Sequence, residues 1–334
     1  MKPRARPPAE RIEDILLGPA RLQALYVAVR LGIPDMVKDG PRSSTLLASS
    51  AGVHPEALHR LLRFLVADGV FSLGEGGRFA ATPLSNSLTM DAPGEFRQRI
   101  LNTAMRTWDA WRDVLYAVET GMPAFERVHG MSFVEDQARN GGWLARERGP
   151  ALTSFGAVLA KHLGGAGCVV VAGSGAAALL AGVLTKRPGV RGVACDAPAA
   201  EEWSREALGP LGERGRFLPM DPAGSVPTTG EACVLVRQLR ECADDAAAAL
   251  LGRWQAAMAP GARLLVAETL LPEGGEAPRE TLLADLELLL TCSGKERTEQ
   301  EYRRLLHRAG FRFEACEAGK TGMLSLLVAT KGLL

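Results

Sequence analysis

No two of the six cysteines, at positions 168, 195, 233, 242, 292 and 316, form a C-x-x-C pair, which argues against a zinc knuckle or a thioredoxin-type redox motif. They read as free thiols in a reducing compartment, so the expected location is cytoplasmic. Nor is there an excess of either charge. Thirty-nine basic residues face 38 acidic ones, a net charge of +1, so no overall field draws the chain to nucleic acid or to an anionic membrane. Met1–Arg11 is rich in Pro and Arg and lacks the apolar stretch of a secretory signal. Leu163–Thr185 has no charge at all and is long enough to be weighed as a membrane span. Six glycines interrupt it, however, and Val169-Val170-Val171 followed by Gly-Ser-Gly reads instead as strand, turn and helix. No membrane partner is expected.

What is present is ordinary globular material. The 334 residues are 47% hydrophobic and 23% charged, a balance that excludes a disordered, collagenous or coiled-coil chain, at a length that suits two domains. From Ile12 to Leu163 nearly every segment has helical spacing. Ile15, Leu16, Leu22, Leu25, Val29 and Leu31 form an apolar face too broad for one helix to cover alone, which predicts packing on another helix or on a second copy, a homodimer. Ser44–Ala51, Pro55–Asp68 and Val70–Thr82 read as helix, helix and hairpin, the outline of a winged helix. His59, Arg60 and Arg63 are the residues that would enter a DNA groove. Leu58, Leu61, Leu62 and Leu65 bury one side of their helix and basic residues are few, so no nucleic-acid partner is expected. Glu95–Gly121 reads as one long amphipathic helix carrying Met105, Trp108 and Trp111, whose spacing suits a core more than a ligand.

From Gly167 the pattern becomes alternating. Strands Cys168–Ala172, Gly192–Cys195, Arg216–Met220, Ala232–Val236 and Arg263–Glu268 are separated by helical stretches, and the chain closes with a helix and two apolar strands expected to pair at one sheet edge. Such a series implies an α/β domain with a parallel sheet, helices on both faces, and ligands at the carboxyl ends of the strands. The expected division is a helical domain over 1–163 and a Rossmann-like domain over 164–334. Gly173-Ser174-Gly175 marks the tight turn where a ligand can press on backbone N–H groups at a helix N-terminus. Asp196 ends the second strand, about 20 residues on, where a carboxylate can accept both ribose hydroxyls of an adenosine. Asp221 follows the third strand, where it could meet an adenine amino group. Both acids stand close to a proline, so turn chemistry is the competing explanation.

Taken in order, these motifs resemble those of the S-adenosylmethionine-dependent small-molecule O-methyltransferases of plant and actinobacterial secondary metabolism. The similarity spans nearly the whole chain. Its best-matching pieces are Leu58-His59-Arg60-Leu61-Leu62-Arg63, Phe125-Glu126-Arg127-Val128-His129-Gly130, Pro260–Glu268 and Gly294-Lys295-Glu296-Arg297-Thr298, the last running on to Ala309-Gly310-Phe311. The resemblance implies a Rossmann-like class I methyltransferase domain preceded by an all-α winged-helix domain that dimerises and covers the substrate. It further implies S-adenosylmethionine or S-adenosylhomocysteine held by Gly173, Ser174, Gly175, Asp196, Met220 and Asp221, with no metal. A small-molecule natural product would be contacted by Met105, Trp108, Phe155 and Leu289.

The chain departs from the family where chemistry is done. The family's first strand ends Asp-Val-Gly-Gly-Gly-x-Gly, and here the run is Val171-Ala172-Gly173-Ser174-Gly175-Ala176-Ala177. No carboxylate stands at Val171 to help hold the cofactor's ammonium, and Ala177 adds a methyl where glycine permits close approach. Losing one charge-assisted contact costs ~1.5–3 kcal/mol, so cofactor affinity is expected to be weakened, at the limit lost. The family's His-Asp-Trp after the fourth strand becomes Arg240-Glu241-Cys242. That histidine takes the proton from the substrate hydroxyl, and an arginine cannot, because its guanidinium stays protonated. Glu296 matches the carboxylate that steadies the histidine, and here it is expected to pair with Arg240 or to become the site's acid or base. Arg240, Glu241 and Glu296 are the candidate catalytic residues. Three readings are open: methyl transfer driven by positioning, a non-methylating reaction such as cyclisation, decarboxylation or hydroxylation with Arg240 as a fixed cation, and a non-catalytic partner protein. A hydrolase with Ser174 as nucleophile and His307 as base fits the strand-turn-helix, but the full-length resemblance and the early position of the strand speak against it.

Overall fold

The computed structural model describes residues 7–92, 96–140, 142–220, 226, 230–274, 276–319 and 324–332. Contacts group the chain into two compact units, Met1–Asp109 and Ala110–Leu334. In the first, α1 (Pro8–Arg30), α2 (Ile33–Val37), α3 (Ser44–Ala51) and α4 (Pro55–Ala67) enclose Val29, Ile33, Leu47, Leu62, Leu65 and Phe79. Local signals set the helix ends. The Ser43 hydroxyl accepts from Leu46 N–H to cap α3, Gly52 ends that helix in the left-handed region, and Pro55 opens α4. β1 (Arg42–Ser43), β2 (Phe71–Leu73) and β3 (Arg78–Ala81) make a small antiparallel sheet with β3 in the middle, so the winged helix carries a third strand beside the expected hairpin. Ile12, Ile15 and Leu16 on α1 are exposed, Ile15 and Leu16 each at 71%.

The single helix expected over Glu95–Gly121 is broken. After α5 (Pro83–Asn86), α6 (Phe96–Asn102) runs into a π-helical turn at Thr103–Thr107, followed by α7 (Trp108–Arg112) and α8 (Val114–Thr120). The π turn shifts the phase of the apolar face, and Asp113, at φ −104° and ψ 21°, interrupts the helix again.

Next come α9 (Ala124–His129), α10 (Phe133–Asn140) and α11 (Gly142–Leu159), which group with the sheet that follows rather than with the first unit. The reason is backbone contact between α11 and α12 (Ala176–Lys186). A Cβ on Gly156 would lie 2.4 Å from Leu179 O, and one on Gly182 would lie 2.0 Å from Thr153 O. Helices that touch this closely share one core.

The large sheet contains β4 (Cys168–Ala172), β5 (Arg191–Asp196), β6 (Gly215–Pro219), β7 (Ala232–Val236), β8 (Arg263–Leu271), β10 (Phe311–Glu317) and β11 (Leu324–Lys331), in the order β6-β5-β4-β7-β8-β11-β10; β9 (Arg297–Thr298) pairs with the end of β8. Pairing is parallel from β6 to β8, and β11 and β10 close the edge antiparallel. With α13 (Glu201–Leu208), α12 and α11 cover one face. On the other lie α14 (Asp244–Ala257) and, beyond α15 (Arg279–Cys292), α16 (Glu299–Arg308). The uncharged run Leu163–Thr185 is thereby split between β4 and α12, and among the described residues no helix is long and apolar enough to cross a membrane. Strand order reverses between β4 and β7. Ala172 pairs with both Cys195 and Leu235, so the carboxyl ends of β4, β5 and β7 stand side by side, where doubly wound sheets bind ligands.

Gly173 leaves β4 at φ 124°, and a Cβ there would lie 2.0 Å from Val236 O. Gly173→Ala is therefore expected to lower folding stability by about 2–3 kcal/mol, read as a fall in the urea midpoint. Gly165→Ala, at a position with no atom within 4 Å of the new methyl, should leave the midpoint unchanged.

Candidate functional site

The turn Gly173-Ser174-Gly175 is built by both of its neighbours. Gly173 N–H donates to Cys195 O at 3.0 Å, and Gly175, at φ 85°, is the N-terminal cap of α12. Asp196 ties the turn to the end of β5: Oδ2 accepts from Gly175 N–H and Oδ1 from Ala197 N–H, each at 2.8 Å. The carboxylate is buried and oriented by backbone. Met220 N–H donates to Asp196 O at 2.9 Å, extending the arrangement to the end of β6.

Around this turn lies a cavity of about 390 Å³ whose described lining residues belong to the second unit. Gly173, Ser174, Asp196, Met220 and Gln238 line it from the strand ends. Ala246, Ala249, Leu250 and Arg253 line it from α14, spaced for one helix face. Phe133, Val134 and Gln137 from α10, with Glu241, Cys242 and Cys292, complete much of the wall. Of the expected cofactor residues, four therefore line the cavity, Gly175 caps the helix behind them, and Asp221 lies outside the described residues. Val171 and Ala177 are fully buried in the apolar cluster under α12, and neither lines the cavity.

Phe155 and Leu289, two of the expected substrate contacts, do not line this cavity among the described residues. Phe155 packs on the cluster between sheet and α12, and Leu289 packs with Ala117, Phe125 and Leu290. Met105 and Trp108 belong to the first unit, Met105 being largely exposed. His307, which the hydrolase reading requires, is exposed on α16 and does not line the cavity.

Arg240 and Glu296 do come together. Arg240 Nη2 lies 2.6 Å from Glu296 Oε1, with the side chains 9% and 0% exposed. Neither lines the cavity, whereas Glu241, next in the chain, does. In the short helical turn Leu239–Glu241, Leu239 and Arg240 are buried, and distant residues satisfy much of the backbone. Glu268 Oε1 accepts from Leu239 N–H at 2.9 Å and from Arg240 N–H at 3.4 Å. Arg297, fully buried, donates to Leu239 O at 2.7 Å and Cys242 O at 2.6 Å, and also to Asp244 Oδ1. Lys295 N–H donates to Arg240 O at 2.9 Å, and a Cβ on Gly294 would lie 2.1 Å from that same oxygen. The run Gly294–Thr298 is thus a brace against the turn. Sequence reasoning had not singled out Glu268, Arg297 or Gln238 individually, although an acid ending an apolar strand and an arginine inside the quoted motif were available signals.

Burial pushes Glu268 up to about 8; Arg240 and Arg237 oppose the shift and Glu296 adds to it. Burial likewise pushes the cavity thiols up, Cys242 to about 11 and Cys292 to about 12, which keeps them neutral and unreactive at neutral pH. Among the described residues, no group of three or more His, Cys, Asp or Glu could hold a metal ion.

A doubly wound sheet of this order, with its cavity at the switch point between a Gly-Ser-Gly turn and a strand-end acid, defines a Rossmann-like methyltransferase domain. The chain belongs to the O-methyltransferase family: the O-methyltransferase domain profile matches residues 111–312 and the O-methyltransferase dimerisation domain matches residues 13–91. It is 35% identical to the mitomycin biosynthesis 6-O-methyltransferase of Streptomyces lavendulae, over 95% of this chain and 94% of that protein. Its fold matches the structure of the mitomycin 7-O-methyltransferase MmcR with a TM-score of 0.88 at 32% identity, covering 97% of this chain and 98% of the other. Human N-acetylserotonin methyltransferase in complex with SAM matches with a TM-score of 0.79 at 25% identity, covering both chains fully, at 100% each.

Two stability measurements follow from the buried charges. Glu268 is protonated in the folded protein up to about pH 8 but has an ordinary value of 4.5. The stability it contributes is complete below 4.5 and is lost as pH rises through about 8. Urea unfolding should show that decline, and Glu268→Gln should flatten it. Arg240→Ala strands the Glu296 carboxylate in the interior and is expected to cost about 3–5 kcal/mol, most of which the double variant Arg240→Met with Glu296→Leu should restore.

Proposed function

We propose that this protein transfers a methyl group from S-adenosylmethionine to a hydroxyl of a small-molecule natural product, and that Glu241 rather than Arg240 acts on the substrate. The observation that carries this reading is the cavity at the strand ends, which brings Gly173, Ser174, Asp196 and Met220 into one wall and Glu241 into another. Similarity to a mitomycin biosynthesis methyltransferase supports the natural-product class. The residues fit the cofactor: a helix-capping glycine turn, a backbone-oriented carboxylate for paired hydroxyls, and apolar walls for a flat ring.

When bound, the cofactor supplies an electrophilic methyl group. Asp196 would hold the ribose hydroxyls and Met220 would contact the base. Phe133, Val134 and, on α14, Ala246, Ala249 and Leu250 would keep water away from the reacting atoms. Glu241 accepts the proton of the substrate hydroxyl. Arg240 does not, since its guanidinium retains its protons and its charge is engaged by Glu296. The buried pair instead positions the turn that carries Glu241. The same pairing removes support from the reading of Arg240 as a fixed cation for a substrate carboxylate. Cofactor affinity is reduced relative to a loop with an acid at 171, Val171 being apolar and buried. The first unit pairs two copies of the chain through α1, a reading supported by the dimerisation-domain match and the exposed Ile15 and Leu16. Six free cysteines support a reducing, cytoplasmic setting.

Methyl transfer is tested by incubating the enzyme with S-adenosylmethionine and a panel of phenolic natural products, with products read by mass. Glu241→Gln should lower kcat by about a hundredfold or more while leaving S-adenosylhomocysteine affinity, measured by calorimetry, unaltered. An undiminished rate would remove Glu241 from the mechanism. Sedimentation equilibrium should find a dimer at micromolar concentration, and Leu16→Glu should shift it toward monomer.

A further inference from the structure

We infer that Gln238 is a cofactor-binding residue whose side-chain amide oxygen accepts a hydrogen bond from the ammonium group at the amino-acid end of the cofactor. This rests on the methyltransferase reading above. Gln238 stands just past β7, on the far side of the strand-order switch from β5 and β6. It flanks the glycine turn, with Cγ 3.1 Å from where a Cβ on Gly173 would sit. It lines the same cavity as Gly173, Ser174 and Asp196, yet is only 9% exposed.

Its backbone carbonyl is in use, accepting from Glu241 N–H at 3.3 Å and Cys242 Sγ at 3.6 Å. Its Oε1 is different. That atom is buried and has no hydrogen-bond partner among the described residues. A buried amide oxygen left this way costs ~1–3 kcal/mol, and native folds keep few of them. The terminal torsion of glutamine is broad, so the amide can turn about it to present the oxygen to the cavity without leaving a rotamer well.

An amide oxygen only accepts, so its ligand must donate. The cofactor offers ribose hydroxyls, an adenine amino group and an ammonium. Asp196, at the end of β5, takes the hydroxyls, and the base lies by Met220 at the end of β6. Both groups are on one side of β4. Gln238 is on the other, which leaves it the amino-acid end. The acid that the family places at 171 for that end is missing here, and Val171 is buried away from the cavity. A charge-assisted amide–ammonium bond fills that role in part.

Binding calorimetry with two ligands tests this: S-adenosylhomocysteine and its analogue lacking the α-amino group. Gln238→Leu should weaken S-adenosylhomocysteine about tenfold or more, equivalent to about 1.4 kcal/mol, and leave the deaminated analogue at its wild-type affinity. Gln238→Glu, which keeps an acceptor oxygen in place, should bind S-adenosylhomocysteine at least as tightly as wild type. Gln238→Leu should unfold at the wild-type temperature or above, since it gives up no hydrogen bond from Oε1. Unchanged S-adenosylhomocysteine affinity in Gln238→Leu, or an equal loss for both ligands, overturns the assignment while leaving the methyltransferase reading in place. Failure of the wild-type protein to bind S-adenosylhomocysteine overturns both.

Discussion

The site depends on the buried turn Leu239–Glu241 and the requirement that its backbone groups find partners away from water. Its own neighbours supply only part of them: Glu241 N–H donates to Gln238 O and Cys242 N–H to Leu239 O. Glu268 takes two N–H groups, Arg297 gives to two carbonyls, and Lys295 N–H takes the third. Once these bonds exist the turn has one conformation, and Gln238, Glu241 and Cys242 face the cavity from fixed positions. Arg240 and Glu296 add a pair of opposite charges in the same space. A buried ion pair is weak evidence for net stability, because desolvation offsets attraction. Its consequence here is positional: each partner alone would be a costly buried charge.

The exchange of histidine for arginine is easier to understand in this setting. The brace needs a group at 240 that satisfies Glu296, and arginine does so. What the exchange removes is a proton acceptor at that position, and the carboxylate one residue later is on the cavity wall. Glu268 belongs to the same arrangement. Held protonated by burial, it keeps the cluster from carrying a further negative charge beside Glu296.

Much of the second unit was legible because parallel strands buried on both faces are continuous apolar runs, and Gly and Pro punctuate their ends. β4 and β7 have the bounds expected from residue pattern alone. Gly173, Ser174 and Asp196 were equally legible, since one βαβ unit sets their spacing. The break inside Glu95–Gly121 was not, because a π turn changes helical phase without changing composition. Neither was the union of α11 with the sheet. It relies on Gly156 and Gly182 meeting across two helices, and in sequence each is only a helix-weakening glycine. Phe155 and Leu289 pack partly buried against apolar clusters, which their side chains alone did not indicate.

Family, element order, and the absence of a histidine at 240 follow from residue identity and short-range spacing, and the linear chain contains all of that information. Which acid reaches the cavity does not follow from it. Glu241 and Glu296 are both plausible bases on paper, and their roles separate only because one ends on the cavity wall and the other is sealed against Arg240. That separation comes from contacts such as Arg297 with Leu239, 58 positions apart. Spacing rules describe a helix turn or a strand pair, and carry no term for groups that meet only after the sheet has closed.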